Sequence, residues 1–262
     1  MKWATNFLMS CLLVLAMAVH VQAAQHTVSL TTGSGVGTFY HAVTNSAPGD
    51  TIVFSHCIAG DTITAFSTSI AHDLVIIGQG RSHTILNVNG SNLLRITSGT
   101  LTISDLTIMS IDRNGGHYGA IDVKSGTHLN MTNCRIDNAA GGLTSREAVW
   151  VRTGSTANIH GCYMYNCGIV YAQGSVVSTN NHSRNAAGRA WYASSDCDSL
   201  IISDCLVDSC TTSGQSTLNF AGVFCRMENT VMRDNTTCAS LISATWMESL
   251  CQLRVFRQQH HQ

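Results

Sequence analysis

Two carboxylates that converge on one bond, one protonated and one ionised, can hydrolyse a glycosidic linkage. In this chain the candidates are Asp122 with Glu147, and the group Asp196, Asp198, Asp204 and Asp208, which are close together in sequence. Neither group has a histidine or lysine beside it at a recurring spacing, so no catalytic residue is assigned. The simplest role for these aspartates is in solvated turns, with calcium binding as the alternative. The twelve histidines are dispersed and there is no Cys-x-x-Cys, which argues against a zinc centre. No metal site and no cofactor is expected. A different chemistry is suggested by Trp150, Tyr171, Tyr192 and Phe220, which recur in similar local contexts. Aromatic side chains aligned on one face can contact sugar rings, and a row of them can follow a glycan chain. The competing role for such a row is to stabilise the scaffold or to pack under a loop.

Positioning such a row needs a repeating scaffold, and the repeat is legible. Residues 101–108 (LTISDLTI) are echoed by 129–136 (LNMTNCRI), 157–164 (ANIHGCYM), 200–207 (LIISDCLV) and 224–231 (FCRMENTV), with a degenerate copy at 175–180 (SVVSTN). The mean period is about 25 residues, within the range of solenoids. Leu101 and Ile103 alternate with Thr102 and Ser104, the period-two mark of a strand with one buried face. A polar kink and a second short strand follow. One such coil cannot bury its inner face, whereas a stack of coils can. Asn138, Asn166, Asp208 and Asn235 recur after the second strand, where side chains that tolerate left-handed backbone make repeated corners. The triplets 120–122, 148–150, 169–171, 190–192 and 218–220 interleave with these copies. With the middle residue of each pointing inward, Trp150, Tyr171, Tyr192 and Phe220 point outward along one face.

The expected architecture is all-β, a single-stranded right-handed parallel β-helix with a short N-terminal capping helix. Phe39, Ala42, Val43 and Ala47 lie near helical spacing, and Pro48 and Gly49 stop the run. The expected organisation is an export signal over 1–23, a cap over 24–50, the β-helix over 51–240, and a C-terminal cap or truncated end over 241–262. The signal reading rests on Lys2, the apolar stretch from Phe7 to Val19 and the small residues around Ala23. No later segment is apolar enough to span a bilayer, so a secreted or cell-surface location is expected. Lys and Arg number 14 against 15 Asp and Glu, with no basic run, which excludes the field that holds nucleic acid. Cys134, Cys162 and Cys205 follow equivalent strand residues and form one repeated position. Stacked neighbours ~4.8 Å apart are slightly too far for the usual disulfide Cβ separation. A column of packed thiols is the first reading and scattered disulfides the second.

Three stretches carry a family resemblance: residues 42–54, running through Ala47-Pro48-Gly49-Asp50-Thr51-Ile52-Val53-Phe54; residues 74–78 (LVIIG) followed by 84–86 (TIL) and 99–108 (GTLTISDLTI); and residues 115–121 (GGHYGAI). Together they resemble the glycine-rich β-helix repeats of bacterial surface proteins, among them the polymorphic outer-membrane proteins. The match is close over residues 36–136 and looser beyond. It implies a parallel β-helix, export, and an adhesive or surface role with a glycan or a cell-surface protein as partner. Polysaccharide lyases and glycoside hydrolases share this architecture. The paired-aspartate and Gly-His-Gly patterns of the pectin hydrolases are absent here, as are the calcium and arginine signatures of the lyases. The reading is therefore a non-enzymatic surface, adhesive or glycan-binding protein. The alternatives are a polysaccharide lyase or hydrolase and a purely structural spacer.

Overall fold

A computed structural model describes residues 23–88, 94–109, 119–138, 147–186, 188–211, 217–222 and 224–235, together with the strands Ile242–Ala244 and Leu253–Phe256. Residues 1–22 of the expected signal segment lie outside the described residues.

The chain coils into a right-handed parallel β-helix with three strand faces. The first face stacks Gln25–Val28, Asp50–Phe54, Leu74–Ile77, Thr100–Ser104, His128–Thr132, Thr156–His160, Ser175–Thr179 and Ser199–Ser203. The second stacks Thr62–Ala65, Ile85–Val88, Thr107–Met109, Arg135–Asp137, Tyr163–Tyr165, His182–Arg184 and Leu206–Asp208. The long strand Cys225–Arg233 serves both faces. The third face is an eight-stranded sheet: Thr68–Ile70, Leu94–Ile96, Ile121–Val123, Glu147–Val151, Gly168–Ala172, Trp191–Ala193, Leu218–Phe220 and Ile242–Ala244. Every pairing is between coils and in parallel, so each residue type forms a column along the axis.

The alternating pattern buries one side of each strand. Leu101 and Ile103, Leu129 and Met131, and Leu200 and Ile202 point into the core, at no more than 1% exposure. The polar kink is the principal corner. Asp105, Asn133, Gly161, Asn180, Asp204 and Asn229 all carry positive φ there, and Asn133 Nδ2 donates to Asp105 Oδ1 at 2.6 Å. A second left-handed column, Asn166, Asn185, Ser209 and Asp234, follows the second face. Asn166 thus stands where the sequence reading placed a corner, while Asp208 and Asn235 flank the residues that make it.

The interior changes character at one coil. The degenerate repeat puts Ser178, Asn181 and Ser183 inward, where neighbouring coils carry Ile159, Cys162 and Met164 or Ile202, Cys205 and Val207. Trp191, fully buried on the third face, explains it: its indole Nε1 donates to Ser178 Oγ at 3.2 Å. Asn181 Nδ2 donates to Ser178 Oγ and to Ile159 O, and its Oδ1 accepts from Cys162 N at 2.8 Å. A small hydroxyl opposite a large ring conserves core volume, and the amide satisfies the polar groups that result.

The expected helix is present as one and a half turns, Phe39–Thr44, capped by the Thr38 hydroxyl, with Phe39, Ala42 and Val43 buried. The stretch read as a cap also holds a rung of the solenoid, because Gln25–Val28 already pairs with Asp50–Phe54. At the other end, the stretch that matches the repeat poorly supplies Ile242–Ala244 and Leu253–Phe256 to the sheets.

Candidate functional site

On the third face, the last three residues of Glu147–Val151 and Gly168–Ala172 and the strand Trp191–Ala193 read buried, half-buried, buried. Val149 and Val151, Val170 and Ala172, and Trp191 and Ala193 point inward, which turns Trp150, Tyr171 and Tyr192 outward. Register then fixes one outward column: Ser69, Arg95, Asp122, Trp150, Tyr171, Tyr192 and Asn219. Three of the four expected aromatics therefore share a row. Phe220 does not: it pairs with Ala193 on the inward side and is 4% exposed, and Asn219 takes the outward place. The equivalent triplet is Thr217-Leu218-Asn219. Its polar first residue hid the frame and shifted the sequence reading by one position, which in a strand reverses the face.

The row is a continuous stack. Trp150 and Tyr171 have ring centroids 5.6 Å apart at 51°, and Tyr171 and Tyr192 are 4.8 Å apart at 15°. Guanidinium groups cap both ends: Arg152 lies 3.5 Å from the Trp150 centroid and Arg189 3.7 Å from that of Tyr192. Trp150 Nε1 donates to Gln173 Oε1 at 2.9 Å. Because Tyr171 and Tyr192 cover each other's faces and guanidiniums lie over Trp150 and Tyr192, the surface the row offers is mainly its rim, made of ring edges, phenol hydroxyls and guanidinium edges.

Asp122 anchors the lower end. Its side chain is 1% exposed and meets Arg152 Nε at 2.8 Å, Lys124 Nζ at 2.9 Å and Arg95 Nε at 3.6 Å. Burial alone raises its pKa, but hydrogen bonds and charge from Arg152 and Lys124 outweigh that and hold the carboxyl below its usual range. It is an ionised structural anchor, the opposite of a general acid. Glu147 does not join it. It pairs in register with Gly168, and its Oε1 lies 3.7 Å from Arg189 Nε, at the other end of the stack. The second aspartate group also disperses. Asp196 and Asp198 are exposed in a turn, Asp204 makes a corner, and Asp208 sits on the second face.

Cys134, Cys162 and Cys205 occupy one column, with Asn181 between the last two. Cys134 and Cys162 are neighbours in that column, and their interaction together with burial pushes the Cys134 thiol well above its usual range. Burial pushes Cys205 up to about 11 and Cys197 up to about 12. These four are thiols, as the first reading had it.

Sequence reasoning missed a second outward cluster, on the second face: Arg135, Asp137, Tyr163, Tyr165, His182, Arg184, Asp208 and Arg233. Its signal was present, since alternate residues of each second strand read Arg-x-Asp, Tyr-x-Tyr, His-x-Arg, x-x-Asp and x-x-Arg.

Comparison with known proteins agrees with the architecture. The family model described as the right-handed beta helix region matches residues 82–245, more than half of the chain. Among solved structures, ORF18 of Geobacillus virus E2 is similar with a TM-score of 0.39 and 11% identity, over 84% of this chain and 60% of that one. The chain thus spans less than two thirds of that protein. No curated protein matches. The coil-to-coil register and the family match together place this chain in the right-handed β-helix family.

Proposed function

We propose that this is an exported, non-enzymatic protein that binds an extended glycan along its third face, with Trp150, Tyr171 and Tyr192 as the contact row. The observation that carries the reading is the in-register stack, which offers hydrogen-bonding rims at each strand step along a rigid axis. A repeating row suits a chain-like ligand better than a compact one, and phenol, indole and guanidinium edges suit sugar hydroxyls. The same family fold occurs in surface and glycan-related proteins. A hydrolytic role finds little support: the Asp122 carboxyl is held below its usual range, and Asp122 and Glu147 are held by separate cations. The proposed location, secreted or at the cell surface, rests on the N-terminal 1–23 pattern. The proposed partner is a glycan, or a cell-surface protein that carries one, and no cofactor is invoked.

One observation favours a structural spacer instead. The ring faces are already occupied by each other and by Arg152 and Arg189. A glycan-array screen, run beside an assay for reducing or unsaturated ends, separates the readings. Saturable binding without product release, lost in Trp150→Ala and Tyr171→Ala, supports the glycan binder. Binding indifferent to both substitutions sinks it, product release makes the protein an enzyme, and silence in both assays leaves the spacer.

A further inference from the structure

The second face carries a cluster that the row on the third face does not use. Tyr163 and Tyr165, two apart on one strand, hold their rings nearly parallel, at 13° and 6.2 Å between centroids. Arg135 lies 5.5 and 5.6 Å from the two centroids and pairs with Asp137. On the next coil His182 meets Tyr163 edge-on at 4.8 Å. Asn185 Nδ2 donates to the Tyr165 hydroxyl at 3.1 Å.

The charges above this deck do not balance. Arg184, Asp208 and Arg233 are consecutive in one column, so two guanidiniums straddle one carboxylate. Arg184 Nε is 3.7 Å and Arg233 Nη2 3.5 Å from Asp208, and His182 Nε2 is 3.3 Å away. The arginine side chains are 51% and 43% exposed, whereas that of Asp208 is 8% exposed. Asp208 Oδ1 is buried and faces His182 Nε2 at 3.3 Å, so the carboxylate is turned inward while both arginines stay open to solvent. A surplus of exposed guanidinium forks calls for an oxyanion, because the fork matches a carboxylate or sulfate in two parallel bonds. An acidic saccharide chain supplies that oxyanion and, two coil steps along the same column, an apolar ring edge for the tyrosines.

We infer that the second face is a separate site for an acidic saccharide: its anionic group sits between Arg184 and Arg233, and the sugar edge rests on Tyr163 and Tyr165. The anionic group is a sulfate ester or a carboxylate, two sources of one chemistry.

The test uses the whole protein and matched polymers: dextran, dextran sulfate and carboxymethyl-dextran, titrated by calorimetry at ~0.15 M salt, where the Debye length is ~8 Å and diffuse attraction is weak. The expected result is binding to one or both charged dextrans and none to dextran, and which one binds names the anionic group. Arg184→Ala with Arg233→Ala weakens it at least tenfold, while Arg226→Ala, which removes an exposed arginine from the first face, leaves it within twofold. Tyr171→Ala also leaves it intact, which keeps this site distinguishable from the third-face row. Asp208→Asn discriminates further: attraction by positive charge alone is strengthened when a negative charge is removed, whereas loss of the carboxylate that orients both guanidinium forks weakens binding. Circular dichroism and melting temperature verify that each variant is folded. Equal binding of all three dextrans, no binding of either charged one, equal loss in Arg226→Ala, tighter binding in Asp208→Asn, or equal affinity for a single-stranded oligonucleotide each overturns the assignment.

Discussion

Tyr171 and Tyr192 face each other across one coil step, with ring centroids 4.8 Å apart and planes 15° from parallel. The pair is held by register, since the two residues are direct strand partners, and Trp150 extends the stack by another step. Tyr171 is the middle ring, so Tyr171→Ala removes both ring contacts at once. An aromatic pair is worth about 0.5–1.5 kcal/mol beyond area burial, which sets an expected loss of about 2 kcal/mol. Tyr192→Ala removes one ring contact and costs less. Urea unfolding of the two variants checks the order, and a reversed order removes the stack as a stabilising element.

Asp122 makes an asymmetric prediction. Removing the carboxylate in Asp122→Ala leaves Arg95, Lys124 and Arg152 converging on nothing, a loss of about 3 kcal/mol for a broken buried ion pair. Removing one of three cations in Arg95→Ala costs about 0.5 kcal/mol, because that side chain is partly exposed and two cations remain. Comparable losses for the two variants, measured by denaturant titration, contradict the anchoring role.

Acid stability depends on Asp50. Its carboxylate accepts from Ala47 N at 2.8 Å and from His26 Nε2 and Ala24 N at 2.7 Å each, and these bonds lower its pKa from 3.8 to about 2. A lowered folded-state pKa means that the stability contributed by Asp50 is fully present above 3.8 and is lost as pH falls from there through about 2. Asp122, also shifted down, acts in the same sense. The melting temperature therefore drops below pH ~4. Asp50→Asn flattens that drop and starts from a lower melting temperature at neutral pH. An unchanged acid profile in Asp50→Asn rules out this role.

Trp191 and Ser178 are predicted to be coupled. Trp191→Leu leaves a cavity and an unused Ser178 hydroxyl, at a cost of about 3 kcal/mol. Ser178→Ile drives a branched side chain against the indole and costs about 1–3 kcal/mol by overpacking. The double variant restores the pairing used in neighbouring coils, and its loss is smaller than the sum by at least about 1 kcal/mol. Additive losses in a double-mutant cycle disprove the pairing.

Thiol labelling separates the cysteines. Cys57 is exposed, while Cys134, Cys162, Cys197 and Cys205 are buried, and Cys197 and Cys205 stay protonated at neutral pH. With a thiol reagent and peptide mapping, Cys57 modifies in the folded protein and the other four only on unfolding. Rapid labelling of Cys134 or Cys162 in the native protein is the contrary outcome.

The fold was legible because a solenoid writes its geometry into the sequence once per coil: Leu101 and Ile103 recur as Leu129 and Met131 and again as Leu200 and Ile202. The site was legible only where that pattern stayed in frame. Trp150, Tyr171 and Tyr192 kept it, and Phe220 lost it because Thr217 replaced an apolar residue. Ser178 looked like decay of the repeat, because the ring that requires it, Trp191, comes from another strand of the sequence and meets it only through the coil interior. Asp122 and Glu147 looked like a pair because sequence proximity does not report which cation each carboxylate reaches. The second-face cluster was overlooked for a simpler reason: its residues alternate with the core, and the core pattern draws attention to the buried half of each strand.

The coil built from Ser178, Asn181 and Ser183 is a seam in the rod. On either side the interior is a greasy filling, and at the seam the strand ladders continue but the interior adds a cluster of directional bonds around one indole. A chain whose stability is a sum of neighbouring contacts parts where one junction differs from the rest. Under tension, or on brief exposure to denaturant, the rod is expected to part first at this coil, leaving two segments that each zip shut again from the surviving end.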